Sequence, residues 1–286
     1  MNKRNPSISP RAITEKQVAA FLKSRPRDSH KGMFGTVTVI GGANGMVGAT
    51  LLAARAALKM GAGCVHAGLL ADNAPGVDLL QPELMLHNAA EALQLSKPDV
   101  VAIGCGMGRS NTAYKLLYEV LRFKSPLVLD ADALNLLASH PDLQDDLRAR
   151  KYPAILTPHP GEAAHLLACD TKKIQADRIS AVQQLAQIFR CSVVLKGADS
   201  LCATSDGKLF VNRTGNPGMS SPGMGDVLTG MIAAFIAQGL TADHAMLLAV
   251  HLHGAAGDAL AGQHARIGMT ATEVTEWARW LLNQWK

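Results

Sequence analysis

The chain has 286 residues, 48% hydrophobic and only 4% aromatic, with 26 glycines and a formal net charge of +5. That length, with strand and helix signals alternating without a linker, favours one large α/β domain whose core is built from Val, Ile, Leu, Met and Ala. Eight basic residues and two acids lie within residues 1–31, against 20 basic and 21 acidic residues beyond, so the basicity belongs to an N-terminal segment and no nucleic-acid-binding face is expected.

The organisation expected is a basic segment with a short helix over 1–27, then a single domain over 28–286. The segment is either a solvated arm or a subunit contact. No apolar run suits a signal peptide, and none suits a membrane span. Cys64, Cys105, Cys169, Cys191 and Cys202 form no C-x-x-C pair, so reduced thiols and a cytoplasmic location are expected.

In chain order, Thr14 to Lys23 reads as a short helix, with Thr14 and Gln17 in capping-box spacing. Thr36–Gly41 is a β-branched strand running into the flexible loop Gly41–Gly48, and Ala49 to Met60 is a small-residue helix. The loop lacks both the Rossmann and the Walker spacing. Its glycines either admit a flat ligand close to the backbone or only turn the chain. Strands are expected at Gly63–Leu69 and Gln81–His87, and at Asp99–Gly104, where an unbroken apolar run indicates burial on both faces.

After Gly104–Gly108, Asn111 to Phe123 reads as a helix and Pro126–Asp130 as a strand. Asp130 and Asp132 stand at its C-terminal edge, and Asp132 either meets a ligand or caps the helix Ala133–Ala138. Ala154–Glu162 reads as strand, proline-fixed turn and helix, presenting His159 on rigid backbone. A single helix is expected over Lys172–Arg190, a strand over Ser192–Gly197, and a hairpin pairing Leu201–Thr204 with Lys208–Val211. Helices at Ala242–Ala261 and Thr272–Trp285 close the chain, the last with a Thr270/Glu273 capping box.

Gly215–Gly230 concentrates the chemistry. Its first eleven residues hold four glycines, two prolines and two serines, so no regular element is expected there, and Asp226 to Gln238 reads as a buried helix stopped by Gly239. A glycine-rich loop opening a helix leaves unpaired N–H groups at Gly223, Met224, Gly225 and Asp226, aided by the helix dipole, and such a site suits phosphate. Asp226 in that turn either caps the helix or takes a proton from a hydroxyl that attacks the phosphate. Turn residues also end other strands at Gly41, Gly104, Asp130, His159 and Gly197, and in a mostly parallel sheet these ends line one crevice.

Together, His30–Gly35, Gly41-Gly42 with Gly48-Ala49, Pro82–Met85, Gly104–Gly108, Asp130–Asn135, Leu156–Glu162, Lys196–Asp199 and Asn216–Gly230 resemble the ADP-dependent NAD(P)H-hydrate dehydratases over about residues 28–286. The resemblance implies a ribokinase-like three-layer α/β/α sandwich with a mostly parallel central sheet. It implies dehydration of the S epimer of NADHX and NADPHX, with ADP converted to AMP and phosphate and Mg²⁺ as cofactor. Asp226 is the implied base, and Gly223, Met224 and Gly225 the anion hole. The hydrated cofactor is placed near Ala43, Gly106, His159 and Asp226. ADP is placed near Lys196, Gly197, Ala198, Asp199, Ser200 and Gly225, and Glu162 is the tentative acid organising the metal through water. Lys196 pairs with nucleotide phosphate or is a solvated strand end. Family habit suggests a homotetramer and a separate epimerase, since thirty residues ahead of the domain cannot hold one.

His159 stands where small-alcohol kinases of the fold carry Asn and agrees with the dehydratases, whereas the segment Ser220–Gly223 departs from many relatives, Pro222 removing one donor from the phosphate loop. The competing readings are a small-alcohol kinase, such as one acting on hydroxyethylthiazole or hydroxymethylpyrimidine, and a non-catalytic nucleotide sensor. Against the sensor stands the intact Gly-Met-Gly-Asp turn. Against the kinase stand His159 and the Asp130–Asn135 stretch.

Overall fold

The computed structural model describes residues 9–95, 97–263 and 266–285. Lys3 and Arg4, two of the eight basic residues of the N-terminal segment, lie outside them.

A ten-stranded sheet divides the molecule. Its strands are β1 (Arg11–Ala12), β2 (Thr36–Gly41), β3 (Cys64–Leu69), β4 (Met85–Asn88), β5 (Val100–Ile103), β6 (Leu127–Leu129), β7 (Ala154–Leu156), β8 (Ser192–Leu195), β9 (Leu201–Ala203) and β10 (Leu209–Val211), in spatial order β1-β10-β9-β8-β7-β6-β5-β2-β3-β4. The ladders from β8 to β4 are parallel, and the β8–β9 and β9–β10 pairs antiparallel. Val100, Val101, Ala102 and Ile103 are each fully buried, as a strand covered on both faces requires.

One face carries α2 (Val47–Lys59), α10 (Met224–Ala237), α11 (Ala242–Gln263) and α12 (Ala271–Gln284). The other carries α3 (Ala89–Leu95), α4 (Asn111–Val120), α5 (Ala131–Ser139), α6 (Pro141–Ala149), α7 (Pro160–Leu166), α8 (Thr171–Ala176) and α9 (Arg178–Phe189). The short α1 (Glu15–Ala19) precedes the first long strand.

The chain lays β2, β3 and β4 outward in one direction, then returns to place β5 on the other side of β2. The C-terminal ends of β2 and β5 therefore diverge into a crevice at a topological switch point. Gly41 is required there, because a side chain on it would lie 2.2 Å from the Cys105 carbonyl oxygen. Thr50 donates to the same oxygen at 2.9 Å, fastening α2 beneath the crevice. On the far side of α2, a Cβ on Gly230 would meet the Ala53 carbonyl oxygen at 2.0 Å. α10 and α2 thus cross in backbone contact.

Several expectations are corrected. Residues 172–190 form two helices, because the Asp177 side chain caps a new start by accepting from Ser180 N at 2.9 Å. A 3₁₀ turn at Pro217–Met219 sits inside the loop expected to hold no regular element, started by proline and capped by Asn216. The first helix spans only five residues, although the Thr14 cap forms. The strand expected at 81–87 begins at Met85, and β1, α3 and α6 were not anticipated.

From Arg11 onward the N-terminal segment is not a solvated arm. Arg11 and Ala12 pair with β10, Lys23 donates to the Gly239 carbonyl at 2.9 Å, and Arg25 donates to the Gly61 carbonyl at 2.6 Å. Lys23 and Arg25 thereby bind the C-terminal ends of α10 and α2, where cations oppose the helix dipoles.

Gly230→Ala is expected to force these two helices apart and to cost about 1–3 kcal/mol or more. A matched loss in urea midpoint at unchanged m-value checks it, and an unaltered midpoint would show that the contact relaxes freely.

Candidate active site

At the N-terminus of α10 the chain enters through Gly223, whose φ of +88° is a left-handed geometry that glycine supplies without strain. No side chain caps this end. The amides of Gly223, Met224, Gly225 and Asp226 find no acceptor among the described residues. Other helix starts contrast with it. Thr270 and Glu273 close a reciprocal capping box on α12, and His159 and Glu162 close one on α7. The reading of Asp226 as a helix cap fails, because its carboxylate makes no such bond. Four donors and the positive end of a buried helix are left facing the crevice.

Beneath them lies a buried ion pair. Asp130, 1% exposed at the end of β6, accepts from Lys196 Nζ at 2.6 Å and from Thr229 Oγ1, one turn along α10, at 3.0 Å. Burial works against the ionised carboxyl, yet Lys196 outweighs it and holds the pKa below the ordinary value. Burial likewise works against the Lys196 ammonium, and Asp130 and Glu162 hold its pKa up. Arg178 donates to the carbonyls of Leu195 and Lys196, setting the strand end that presents the lysine. A Cβ on Gly225 would lie 3.1 Å from Lys196 Nζ, so the ammonium stands directly under the uncapped turn. Lys196 is therefore no solvated strand end.

Asp226 is half-buried beside this pair. Burial first, and then the charge of Asp130, push its carboxyl up to about 6. Cys105 and one oxygen each of Asp130 and Asp226 lie within 4.8 Å of one another, and burial followed by these two charges raises the thiol well above its usual range. Glu162 is pushed up to about 7, chiefly by burial, with Asp130 and Asp132 adding to it and Lys196, 3.9 Å away, opposing. Its Oε2 accepts from His159 N at 2.8 Å. The ring of His159 accepts from the N–H groups of Gly161 and Glu162 through Nδ1, so the proton resides on Nε2, 3.3 Å from Glu162 Oε1. Burial and then Lys196 keep this imidazole neutral by lowering its pKa.

On the β2–β5 side, Ala43 N–H donates to the Gly106 carbonyl at 2.7 Å and ties the two glycine loops together. Asp132 is not the N-cap of α5, a position that falls to Asp130. It accepts instead from Gly108 N–H at 2.8 Å and so shapes the loop after β5. Of the residues singled out in the sequence, Asp226, Gly223–Gly225, Lys196, Glu162 and His159 converge, and Ala43 and Gly106 form one wall. Gly197, Ala198, Asp199 and Ser200 continue outward from Lys196 as a rim, with Asp199 paired to Arg213 at 3.8 Å; no hydrogen bond or ion pair joins this rim to Asp226. Sequence reasoning noticed Asp130 at a strand end without seeing that it anchors Lys196, and it passed over Cys105 and Thr229. The only available signal was the placement of Asp130 and Cys105 at the ends of apolar strands.

The sequence pattern of the NAD(P)H-hydrate dehydratase family matches residues 37–279. An ADP-dependent (S)-NAD(P)H-hydrate dehydratase of Neisseria meningitidis is 42% identical over 92% of this chain and 90% of its own. The bifunctional NAD(P)H-hydrate repair enzyme Nnr of Coxiella burnetii is 41% identical over 96% of this chain, which spans 55% of that longer protein. Among solved structures, the ADP/ATP-dependent NAD(P)H-hydrate dehydratase of Bacillus subtilis, co-crystallised with ATP and Mg²⁺, superposes with a TM-score of 0.86 at 28% identity, covering 98% of this chain and 100% of that one. The three-layer ribokinase-like sandwich expected from the sequence is the architecture found.

Two stability measurements follow from the electrostatics. Lys196→Met strands a buried carboxylate and is expected to cost about 3–5 kcal/mol, most of it recovered when Asp130→Asn is added; urea titration of the three variants checks this. For Asp226, the unfolded chain releases its proton near pH 4 and the folded chain near 6. Stability therefore falls as pH rises through that window, and the penalty is complete above it. Asp226→Asn should thus be more stable than wild type by about 2–3 kcal/mol at pH 8 and equal to it below pH 4. Equal stabilities at pH 8 would show that Asp226 bears no burial penalty.

Proposed function

The chain belongs to the NAD(P)H-hydrate dehydratase family, and on that premise we propose that its crevice dehydrates the S epimer of NADHX and NADPHX to NADH and NADPH while ADP is converted to AMP and phosphate. The observation that carries the reading is a carboxyl tuned to about 6 beside four uncapped amides, the pairing that a phosphoryl transfer to a hydroxyl requires.

In this reading Asp226 removes the proton from the ring hydroxyl, and the oxygen attacks the terminal phosphorus of ADP. The amides of Gly223, Met224 and Gly225 hold the phosphoryl group in transit, and AMP leaves. The carbon–oxygen bond then breaks, pushed by the enamine nitrogen of the ring; phosphate departs, and a carbon-bound ring proton is lost to restore the dihydropyridine. Hydroxide is a poor leaving group and phosphate a good one, which is why a kinase-like site serves a lyase. The hydrated ring sits against Ala43, Gly106 and His159. ADP lies along Lys196, Gly197, Ala198, Asp199, Ser200 and Gly225, its charge met by the Lys196 ammonium.

Mg²⁺ fits the residues present. Asp130, Asp132, Glu162 and Asp226 are hard oxygen donors with one ammonium among them, and burial, with the charges of Asp130 and Asp132, pushes Glu162 up to about 7. Glu162 would hold the ion through water, and the ion would neutralise phosphate charge. Free thiols at all five cysteines suit a reducing cytoplasm. Exposed Leu79, Leu80 and Trp280 supply apolar surface for the homotetramer we propose. The R epimer calls for an epimerase, and the bifunctional naming of longer relatives supports such a functional partner.

The test follows NADH absorbance from an epimeric NADHX mixture with ADP and Mg²⁺. About half the mixture should react, with AMP formed in step, and Asp226→Asn should be slower by about a hundredfold or more. Because the base must be ionised, kcat should fall as pH drops through about 6. No NADH from folded protein with either ADP or ATP would sink the reading in favour of a small-alcohol kinase.

A further inference from the structure

The crevice accounts for a nicotinamide ring and for ADP, but a dinucleotide substrate also carries a pyrophosphate and a second nucleoside. A cleft of about 630 Å³ opens between α5 and α7, lined by Arg109, Asn135, Ser139, His165, Cys169 and Asp170. Its size falls in the range that small-molecule sites occupy.

The cleft continues from the site along three paths. Arg109 directly follows Gly108, whose amide is fixed by Asp132. Asn135 lies one helical turn beyond Asp132 on α5, and His165 one turn beyond Glu162 on α7, each step advancing about 4.5 Å along its helix. Asn135 Oδ1 and His165 Nδ1 approach to 3.2 Å and tie the two walls together. At the mouth, the exposed Arg109 guanidinium has no ion pair or hydrogen bond among the described residues. Of the neighbouring acids, Asp132 is engaged by Gly108, and Asp170 closes the far end.

We propose that this cleft seats the pyrophosphate and adenosine half of the hydrated dinucleotide, with Arg109 gripping the pyrophosphate. The proposal rests on the dehydratase reading and deepens it by naming where the substrate's unreactive half binds. Topology supports the direction. The rim after β8 and the loop after β5 that carries Arg109 are separated by β6 and β7, so the proposed ADP seat and Arg109 stand apart along the sheet edge. Guanidinium suits a pyrophosphate because its planar donors engage two oxygens at once. Binding of a remote, unreacting group improves catalysis when it helps to hold the reacting end in place.

The experiment compares NADHX with its truncated counterpart, hydrated reduced nicotinamide riboside, which lacks both phosphates, at saturating ADP and Mg²⁺. Wild type should favour the dinucleotide in kcat/KM. Arg109→Ala, and independently Ser139→Trp, which fills the cleft, should raise KM for NADHX by about tenfold while leaving the riboside reaction and the KM for ADP unchanged. Equal effects on both substrates, or none on NADHX, would overturn the assignment of the cleft. Wild type that reacts with the riboside but shows no preference for NADHX would overturn it too. Failure of folded wild type on both substrates would instead overturn the dehydratase reading, and the tail named here with it.

Discussion

The site depends on one buried ion pair, Asp130 with Lys196, set under a helix end left uncapped. Asp130 is almost wholly enclosed and would be costly as a lone charge. The ammonium at 2.6 Å and the hydroxyl of Thr229 make it tolerable, and in return Asp130 fixes Lys196 within reach of the Gly225 backbone. The pair crosses from β6 to β8 and touches α10, so it aligns the three elements whose ends form the phosphate crevice.

The same pair sets the chemistry around it. Together with burial, its negative member raises the pKa of Asp226, and its positive member stands under the uncapped turn. Asp226, Glu162 and Asp132 outnumber the single ammonium, so the site carries more negative charge than that ammonium balances. Arriving phosphate adds to that burden and makes an accompanying cation chemically reasonable. His159 plays a quieter part. Through Nδ1 it satisfies the start of α7, and through Nε2 it faces Glu162, so one neutral ring orders the turn and steadies the acid.

Stability and function pull in different directions at α10. Helices α7 and α12 satisfy their first amides with side chains, each cap contributing about 1 kcal/mol. α10 forgoes this, yet eleven of its fourteen residues are buried and it crosses α2 in backbone contact. Packing over its length compensates for an end held open for an anion. Regions that must bind are often placed in this way, on a rigid scaffold with one local rule broken.

Much of this was written in local sequence. The apolar run Val100–Ile103, the β-branched Thr36–Ile40 and the capping pairs of Thr14 and Thr270 specify their elements through periodicity and side-chain chemistry that act within a few residues. The glycine-rich approach to Asp226 announced an anion site, because unpaired amides at a helix start follow from backbone geometry alone. Elements whose existence rests on distant partners were not legible. Two-residue β1 exists only because β10 offers an open edge. The pairing of Asp130 with Lys196 spans 66 residues, and the role of Asp132 depends on a loop 24 residues earlier. Sequence by itself determined the long buried strands, the uncapped helix start and the family, since these rest on local pattern. Only the tertiary structure decided which charges meet, because burial and the Coulombic balance of Asp130, Lys196, Glu162 and Asp226 arise when four strand and helix ends are brought to one point.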